Sequence, residues 1–213
     1  MKEFRIIDMA GNKEHKFTPD SFRSSGFSEN SALTIITGIT ESNLKDAITL
    51  AKSSHESGIV TAGIMSGNEG IKSLLDVADA VIISRDNDES EILSGISDLI
   101  IKMGFVNIDI EDIAEILKDA GTVYYGTGTA EAPATAAKKA AKMCGDITNA
   151  KGILLNITTS TEIMLSEMSD AAHVIEMATN PDAQIIWGHV IYEDMGENVR
   201  VTIFAAMHDK GKL

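Results

Sequence analysis

One short loop holds the residues of this sequence that are best suited to chemistry. Asp109 and Asp112 stand three positions apart, and Asn107 lies two positions before the first of them. Where such a pair begins a helix, both carboxylates lie on one face and can hold or polarise a water molecule together. The same spacing suits a helix N-terminus in which Asp109 is the N-cap and Asp112 completes a capping box. The spacing alone leaves both interpretations open for this acidic loop, residues 107–112.

Short apolar runs alternate with amphipathic stretches before the acidic loop. Continuous apolar strands that alternate with helices are typical of a parallel sheet covered by helices. Residues 1–31 predict at most one strand, at 4–7, because the rest of this segment is polar and has no clear period. The other strands are predicted at 32–37, 59–65 and 80–84, with helices near 44–57, 67–78 and 89–103.

The pattern after the acidic loop differs from the pattern before it. A short turn-like link between the last two predicted strands favours an antiparallel hairpin, and a mixed sheet with helices on one face fits this half. We expect two domains, 1–103 and 104–213, with the boundary near residues 104–121. The predicted helices are 110–120, 132–143 and a third that ends near 178, and the strands are 122–125, 152–158, 183–192 and 198–207.

The overall charge disfavours two classes of partner. A formal net charge of −14 over 213 residues repels nucleic acid phosphates and anionic membrane surfaces. The N-terminal residues lack the apolar stretch of a signal peptide, and no window is apolar enough for a membrane helix. We therefore expect neither nucleic acid binding nor direct membrane insertion.

Metal and disulfide chemistry are not indicated by the cysteine and histidine content. Cys144 is the single cysteine, so neither an internal disulfide nor a thiolate cluster is expected. The five histidines show no paired metal-ligand spacing. A reducing cytoplasm suits this composition, and no metal site is predicted.

Four segments in and after the acidic loop resemble segments of FtsZ, the bacterial and archaeal relative of tubulin, in the same order along the chain. The resemblance covers about residues 90–207 and is weaker over 32–90. It implies a reduced tubulin/FtsZ-like N-terminal parallel sheet with flanking helices, followed by an FtsZ C-terminal-type α+β domain with a mixed sheet. The segments are 104–113 (the synergy loop), 125–130 (a Gly-Ser-Gly segment), 150–158 (the strand that reads ARGVLVNIT in many FtsZ proteins) and 198–203 (the penultimate strand).

The resemblance also implies roles for the residues of the acidic loop. In that family filaments form head to tail, and the acidic loop of one subunit completes the hydrolytic site around the GTP of the next. Carried over by position, Asp109 and Asp112 would polarise water, and Asn107 would position the loop. A catalytic subunit of this type would also need Mg²⁺ to offset the triphosphate charge.

The family's glycine-rich phosphate loop, GGGTGTG, has no full counterpart here. The predicted strand 32–37 is followed by Gly38, Ile39 and Thr40, which keep a single glycine. Thr40 or Ser42 as a helix N-cap explains this segment without a ligand. Gly38 and Thr40 are therefore weak candidates for cofactor binding, and we expect GTP and Mg²⁺ only if the remodelled pocket still binds them. The GTGT letters at 126–129 are predicted to form a strand-to-helix turn rather than a phosphate loop.

These observations predict a shortened, divergent FtsZ-like cytoskeletal or cell-division-related protein whose GTPase activity is lost. It would act as a non-hydrolysing regulator or filament-interacting homologue, with full-length FtsZ or a second copy of itself as partner. One alternative is a small-molecule-binding α/β enzyme with its site near Gly38 and Ser66, at the carboxyl ends of the predicted strands. Another is a GTP-independent, self-assembling structural module.

Overall fold

The computed structural model describes residues 3–11, 13–18, 21–22, 31–67, 69–84, 89–101, 106–160 and 164–209. The described residues form two compact units, and each unit is discontinuous in sequence. The first unit takes its residues from 1–92, 109–123 and 208–213, and the second from 93–108 and 124–207. The predicted division into continuous domains, 1–103 and 104–213, stays a prediction.

The first unit is built on a sheet with the strand order β3–β2–β1–β4–β5–β6. Neighbouring strands among β1, β4, β5 and β6 pair in parallel, whereas β2 is antiparallel to both β1 and β3. The strands are β1 (Glu3–Asp8), β2 (Lys13–Thr18), β3 (Ser21–Phe22), β4 (Ser31–Thr37), β5 (Val60–Ser66) and β6 (Ala80–Ser84).

The helices of the first unit bury apolar side chains against this sheet. Helices α1 (Leu44–Glu56) and α2 (Ile71–Leu75) share one apolar cluster with alternate residues of the strands, such as Ile36 and Val81. The intervening strand residues are also buried, as a parallel sheet covered on both faces requires. The start of helix α3 (Glu89–Ile101) and all of helix α4 (Ile110–Leu117) also belong to this unit.

Strands β2 and β3 correct the prediction of at most one strand before residue 31. Segment 13–18 is mostly polar, so it lacks the apolar run that marks a buried strand. Pairing with β1 nevertheless holds it in the sheet through backbone hydrogen bonds. Strands at and near the edge of a sheet often carry polar and charged residues, so hydrophobic patterning alone misses them.

The second unit holds a mixed sheet with the strand order β7–β10–β8–β9. Strand β10 is antiparallel to β8, and β8 is parallel to β9. Helices α5 and α6 cover one face, where alanines of α5 pack on alternate residues of β8 and β10. The elements are β7 (Gly121–Ala130, which begins in the first unit), α5 (Pro133–Cys144), β8 (Gly152–Thr159), α6 (Leu165–Glu176), β9 (Gln184–Ile191) and β10 (Val199–Ala206).

The predicted hairpin of the last two strands is wrong, because β8 lies between β9 and β10. The link 192–198 contains a 3-10 turn (Glu193–Met195), and the Tyr192 N–H donates to the Thr159 carbonyl at 2.7 Å, where β8 ends. The link has to cross two strand spacings, about 10 Å, which seven residues span with ease. A turn-like link of this length therefore fits both topologies.

The glycines of the GTGT letters lie inside β7, so the predicted strand-to-helix turn at 126–129 is also wrong. A Cβ added at Gly126 would lie 2.3 Å from the Ala140 carbonyl oxygen, and one at Gly128 would lie 2.4 Å from that of Ala136. The backbone of α5 thus packs directly on the strand. Glycine is required here for close approach and not for a turn.

The predicted fold class is confirmed: a parallel sheet with flanking helices is followed by a mixed sheet with helices on one face. Within the described ranges, no helix has both the length and the apolar character that crossing a bilayer requires.

Candidate functional site

The acidic loop forms the N-terminus of helix α4. Asp109 has extended backbone angles and is the N-cap, and its side chain accepts a hydrogen bond from the Glu111 N–H at 3.2 Å. The Asp109 N–H donates in turn to Asp112 Oδ2 at 3.3 Å, which completes a capping box. The capping interpretation of the two aspartates is therefore confirmed.

Burial of the apolar side of α4 determines which side the carboxylates occupy. Ile110, Ile113 and Leu117 are buried, whereas Asp109 is exposed and Asp112 is half-buried. Asp109 accepts backbone N–H groups of the first helical turn, and Asp112 accepts the Asp109 N–H. A carboxylate can accept further hydrogen bonds, so the exposed Asp109 can also bind a water molecule.

Asn107, the third predicted residue of this site, belongs to the second unit and is exposed. The residues beside it are fixed to strand β9. The Val106 carbonyl accepts the His189 N–H at 2.9 Å, and Ile108 is buried so close to Gly188 that a Cβ added there would lie 2.9 Å from Ile108 Cγ1. The only sequence signal for this anchor is a glycine inside an apolar strand, and the predictions above do not include it.

The two weak candidates for cofactor binding, Gly38 and Thr40, lie in the turn that follows β4, residues 37–40, which we call the β4 turn. Gly38 adopts a left-handed φ of +69°, and its N–H donates to Glu89 Oε2 at 2.7 Å. The Thr37 hydroxyl donates to the same oxygen. The Thr40 N–H donates to Asn43 Oδ1 at 2.7 Å. These three donors of the β4 turn are thus taken by side chains of the chain itself.

The expected N-cap at Thr40 or Ser42 is wrong, because helix α1 begins after Asn43. The Asn43 side chain makes no capping bond. Its amide nitrogen donates to the Gly38 carbonyl at 2.9 Å, while its oxygen accepts from Thr40. An amide carries both donor and acceptor groups, so Asn43 can close the β4 turn where a hydroxyl would satisfy only one end.

Glu89, the first residue of α3, holds this turn through a contact that the sequence does not predict. Its bond to Gly38 joins positions 51 residues apart. An acidic residue at a helix start is ordinarily explained by the helix dipole, so the sequence gives no signal for this long-range bond.

Asp79 is a second carboxylate whose partners are distant in sequence. It is 3% exposed and accepts from the Thr61 N–H at 2.9 Å, the Asp119 N–H at 3.4 Å and His55 Nδ1 at 3.2 Å. The network joins α1, β5 and the turn after α4 within the first unit. It has a structural role and lies outside the acidic loop and the β4 turn.

Burial perturbs one histidine. His189 is 1% exposed in β9 and shares a hydrogen bond of 2.9 Å with the Thr159 hydroxyl. Loss of hydration lowers the pKa of His189 below its usual value of 6.5, so the neutral ring is favoured. As to metals, the part of the chain that the structure describes contains no group of three or more His, Cys, Asp or Glu side chains suited to an ion.

The parallel sheet of the first unit, the capped acidic helix start and the mixed sheet of the second unit together define an FtsZ/tubulin-like fold. Residues 120–208 match the family model described as "FtsZ family, C-terminal domain". The resemblance to the FtsZ/tubulin superfamily that the sequence predicts is therefore confirmed.

Solved structures with the same fold come from archaea and bacteria. An empty FtsZ dimer from M. jannaschii matches with a TM-score of 0.68 and 21% identity, over 83% of this chain and 64% of that one. CetZ2 from Haloferax volcanii, in a GTPγS-bound protofilament, gives 0.58 and 17%, over 84% of this chain and 66% of that one. TubZ from Bacillus thuringiensis serovar israelensis, in GDP-form protofilaments, gives 0.57 and 12%, over 83% and 61%. The chain thus spans less than two thirds of the length of these relatives.

Proposed function

We propose that this chain is an FtsZ-like cytoskeletal or cell-division-related protein that neither binds nor hydrolyses GTP in a site of its own and that regulates filaments. In this proposal it presents the acidic loop to the nucleotide face of a full-length FtsZ. The observation that carries the proposal is the contrast between an exposed, pre-formed acidic loop and a β4 turn whose donors are occupied by Glu89 and Asn43.

The acidic loop supports the docking role through its geometry. The capping box holds Asp109 and Asp112 in place before any partner arrives, which reduces the entropy lost on binding. Asp109 is exposed and so is Asn107, the residue proposed to position the loop. In the complex, Asp109 and Asp112 would polarise a water toward a nucleotide held by FtsZ, together with the Mg²⁺ that accompanies it.

The geometry of the β4 turn supports the proposal that this chain has no nucleotide site. Phosphate binding needs free backbone N–H groups, and the Gly38 and Thr40 N–H groups donate to side chains of the chain itself. The Glu89 carboxylate occupies this turn and repels an anion. We therefore propose that neither GTP nor Mg²⁺ is a cofactor of this chain. The proposed location is the cytoplasm, which suits a protein with a single cysteine.

The test is the GTP turnover and sedimentation of purified full-length FtsZ with and without this protein. We expect turnover to change by about twofold or more at equimolar amounts and the protein to sediment with FtsZ filaments. The variant D109N/D112N should lose this effect and keep its fold, because asparagine caps helices about as well as aspartate. E115Q/E131Q removes the same charge from exposed positions outside the acidic loop and should act like wild type. No effect and no binding at stoichiometric amounts would overturn the proposal.

A second candidate function is GTP-independent self-assembly. It is supported by relatives of the same fold that occur as an FtsZ dimer and as TubZ and CetZ2 protofilaments. Light scattering of the protein alone distinguishes the candidates, since polymers without GTP favour self-assembly and GTP-dependent polymers contradict the leading proposal. The small-molecule enzyme with a site near Gly38 and Ser66 stays a prediction without a supporting observation.

A further inference from the structure

The carboxyl ends of β1 and β4 meet at one edge of the first unit's sheet. Asp8 and Thr37 are paired neighbours there, and Gly38 follows Thr37 directly. In open α/β sheets this edge is where ligands bind, because loops leave the strands and backbone donors become available. The β4 turn therefore lies where an external ligand would be expected, whatever family the fold belongs to.

The backbone of Gly38 is fixed in a conformation that presents its N–H. A φ of +69° is disfavoured for any residue with a side chain. A Cβ at this position would also lie 2.7 Å from the Ala10 nitrogen and 2.8 Å from Asp8 Oδ1. The turn is held from the β1 side by the Met9 N–H, which donates to the Thr37 carbonyl at 2.9 Å. Position 38 is therefore specialised for a close backbone approach.

Two donors converge on one oxygen at this turn. The Gly38 N–H donates to Glu89 Oε2 at 2.7 Å, and the Thr37 hydroxyl donates to the same atom. Backbone N–H groups in turns with a left-handed residue can bind anions, and a neighbouring hydroxyl can add a second donor to the same oxygen. A bond of this length to an ionised acceptor is of the strong, charge-assisted kind. The receptor is thus present and already holds a carboxylate.

We propose that Glu89 is a built-in ligand of the β4 turn, which fills an oxyanion receptor made by Gly38 and Thr37 and thereby excludes external anions. When the Glu89 side chain is removed, the receptor binds a small external oxyanion, with formate as the closest match and inorganic phosphate as a larger one. This inference deepens the proposed absence of a nucleotide site but does not depend on docking to FtsZ.

The direct test follows the Gly38 amide resonance by NMR in ¹⁵N-labelled full-length protein. In E89A, formate at millimolar concentration should shift this resonance with saturation and raise Tm. Inorganic phosphate should do the same more weakly. Wild type should show neither response. The matched control is E91A, which removes the same charge from an exposed position of α3 and should behave like wild type.

A second variant keeps the inference falsifiable if E89A does not fold. E89Q retains an oxygen that can accept from Gly38 but loses the charge, so hydrogen exchange of the Gly38 amide should accelerate about tenfold relative to wild type. Equal exchange in both proteins overturns the proposal. A folded E89A that ignores formate and phosphate overturns it too, as does a wild-type response as strong as that of E89A.

Titration of wild type with GTP separates this inference from the proposed function. GTP binding that leaves the Gly38 resonance in place contradicts the proposed absence of a nucleotide site and leaves the inference intact. GTP binding that shifts the Gly38 resonance contradicts both. If wild type changes FtsZ turnover as proposed but E89A binds neither formate nor phosphate, only the inference is contradicted.

Discussion

The acidic loop and the β4 turn both rely on carboxylates that accept backbone N–H groups, and they differ in how far along the chain the partners lie. At the acidic loop, Asp109 and Asp112 bond within three residues of each other. At the β4 turn, Glu89 bonds to Gly38 across 51 residues. The local pair leaves its carboxylates on the surface, where a partner can reach them. The long-range pair joins the half-buried Glu89 and Gly38, whose N–H it occupies.

The span of a carboxylate's hydrogen bonds separates the polar groups that stabilise the fold from those that can bind a partner. A carboxylate that joins distant segments is lost to external ligands and contributes to stability through several bonds at once. A carboxylate that caps its own helix contributes less, about 1 kcal/mol, and its charge can still serve a partner. Substitutions of the two kinds should therefore differ in stability effect by several-fold.

The largest effect is expected at Asp79, whose carboxylate joins three segments of the first unit. D79A leaves the buried Thr61 N–H without its acceptor and should lower the free energy of unfolding by about 3 kcal/mol or more. Urea denaturation followed by circular dichroism measures this change. D76A, at an exposed position just before it, is the control and should stay within about 0.5 kcal/mol of wild type. A loss as small as this for D79A would contradict the expectation that a carboxylate joining distant segments contributes most to stability.

A pH-dependent loss of stability is expected next, from the buried His189 and its partner Thr159, 30 residues away. Because burial lowers the folded-state pKa of His189, the unfolded chain takes up a proton first as pH falls below about 6.5. The folded state therefore loses stability from that pH downward, until its own pKa is reached. Urea midpoints measured between about pH 7.5 and pH 5 should fall more steeply in wild type than in H189Q. Equal slopes in wild type and H189Q would contradict this prediction.

The predictable parts of this molecule are those whose determinants are local. Strands β5 and β6 are predicted from their apolar runs, and the start of α4 from the spacing of Asp109 and Asp112. Both features depend on residues that are neighbours in sequence. The carboxylate of Glu89 escaped prediction, because its partner is chosen by the packed fold. So did the order of β9 and β10, because a seven-residue link permits two topologies.

Gly126 and Gly128 show a related limit. Their sequence context predicts a turn, but in the structure they allow the backbone of α5 to pack closely against β7. A glycine lacks a side chain in both situations, so its sequence context does not tell a turn from a close helix–strand contact. The alanines of α5 at 136 and 140 were the available signal, since small residues on both partners indicate close packing.

A moderate effect is expected where the acidic loop caps helix α4. D109A removes the acceptor for the Glu111 N–H and should lower the free energy of unfolding by about 1 kcal/mol, whereas D109N should change it by a few tenths at most. Thermal and urea denaturation of both variants measure the difference. Because D109N keeps the cap and loses the charge, any effect of D109N on FtsZ turnover reports function and not stability. Equal destabilisation by the two variants would show that the charge, rather than the cap, holds the loop.

The smallest effect is expected at Asp146, an exposed carboxylate whose partner lies two residues away. The Thr148 hydroxyl, and after it the Thr148 N–H, lower the pKa of Asp146 below its usual value of 3.8. A depressed pKa contributes stability that is present above the unfolded-state value and is lost as pH falls through the folded-state value. NMR titration of the Asp146 carboxyl should show the low pKa, and T148V should return it toward 3.8 by removing the larger cause. Since this group is on the surface, T148V should leave the urea midpoint at neutral pH nearly unchanged. A marked fall of the midpoint would show that Asp146 stabilises the fold as strongly as Asp79 is expected to, which would contradict the prediction.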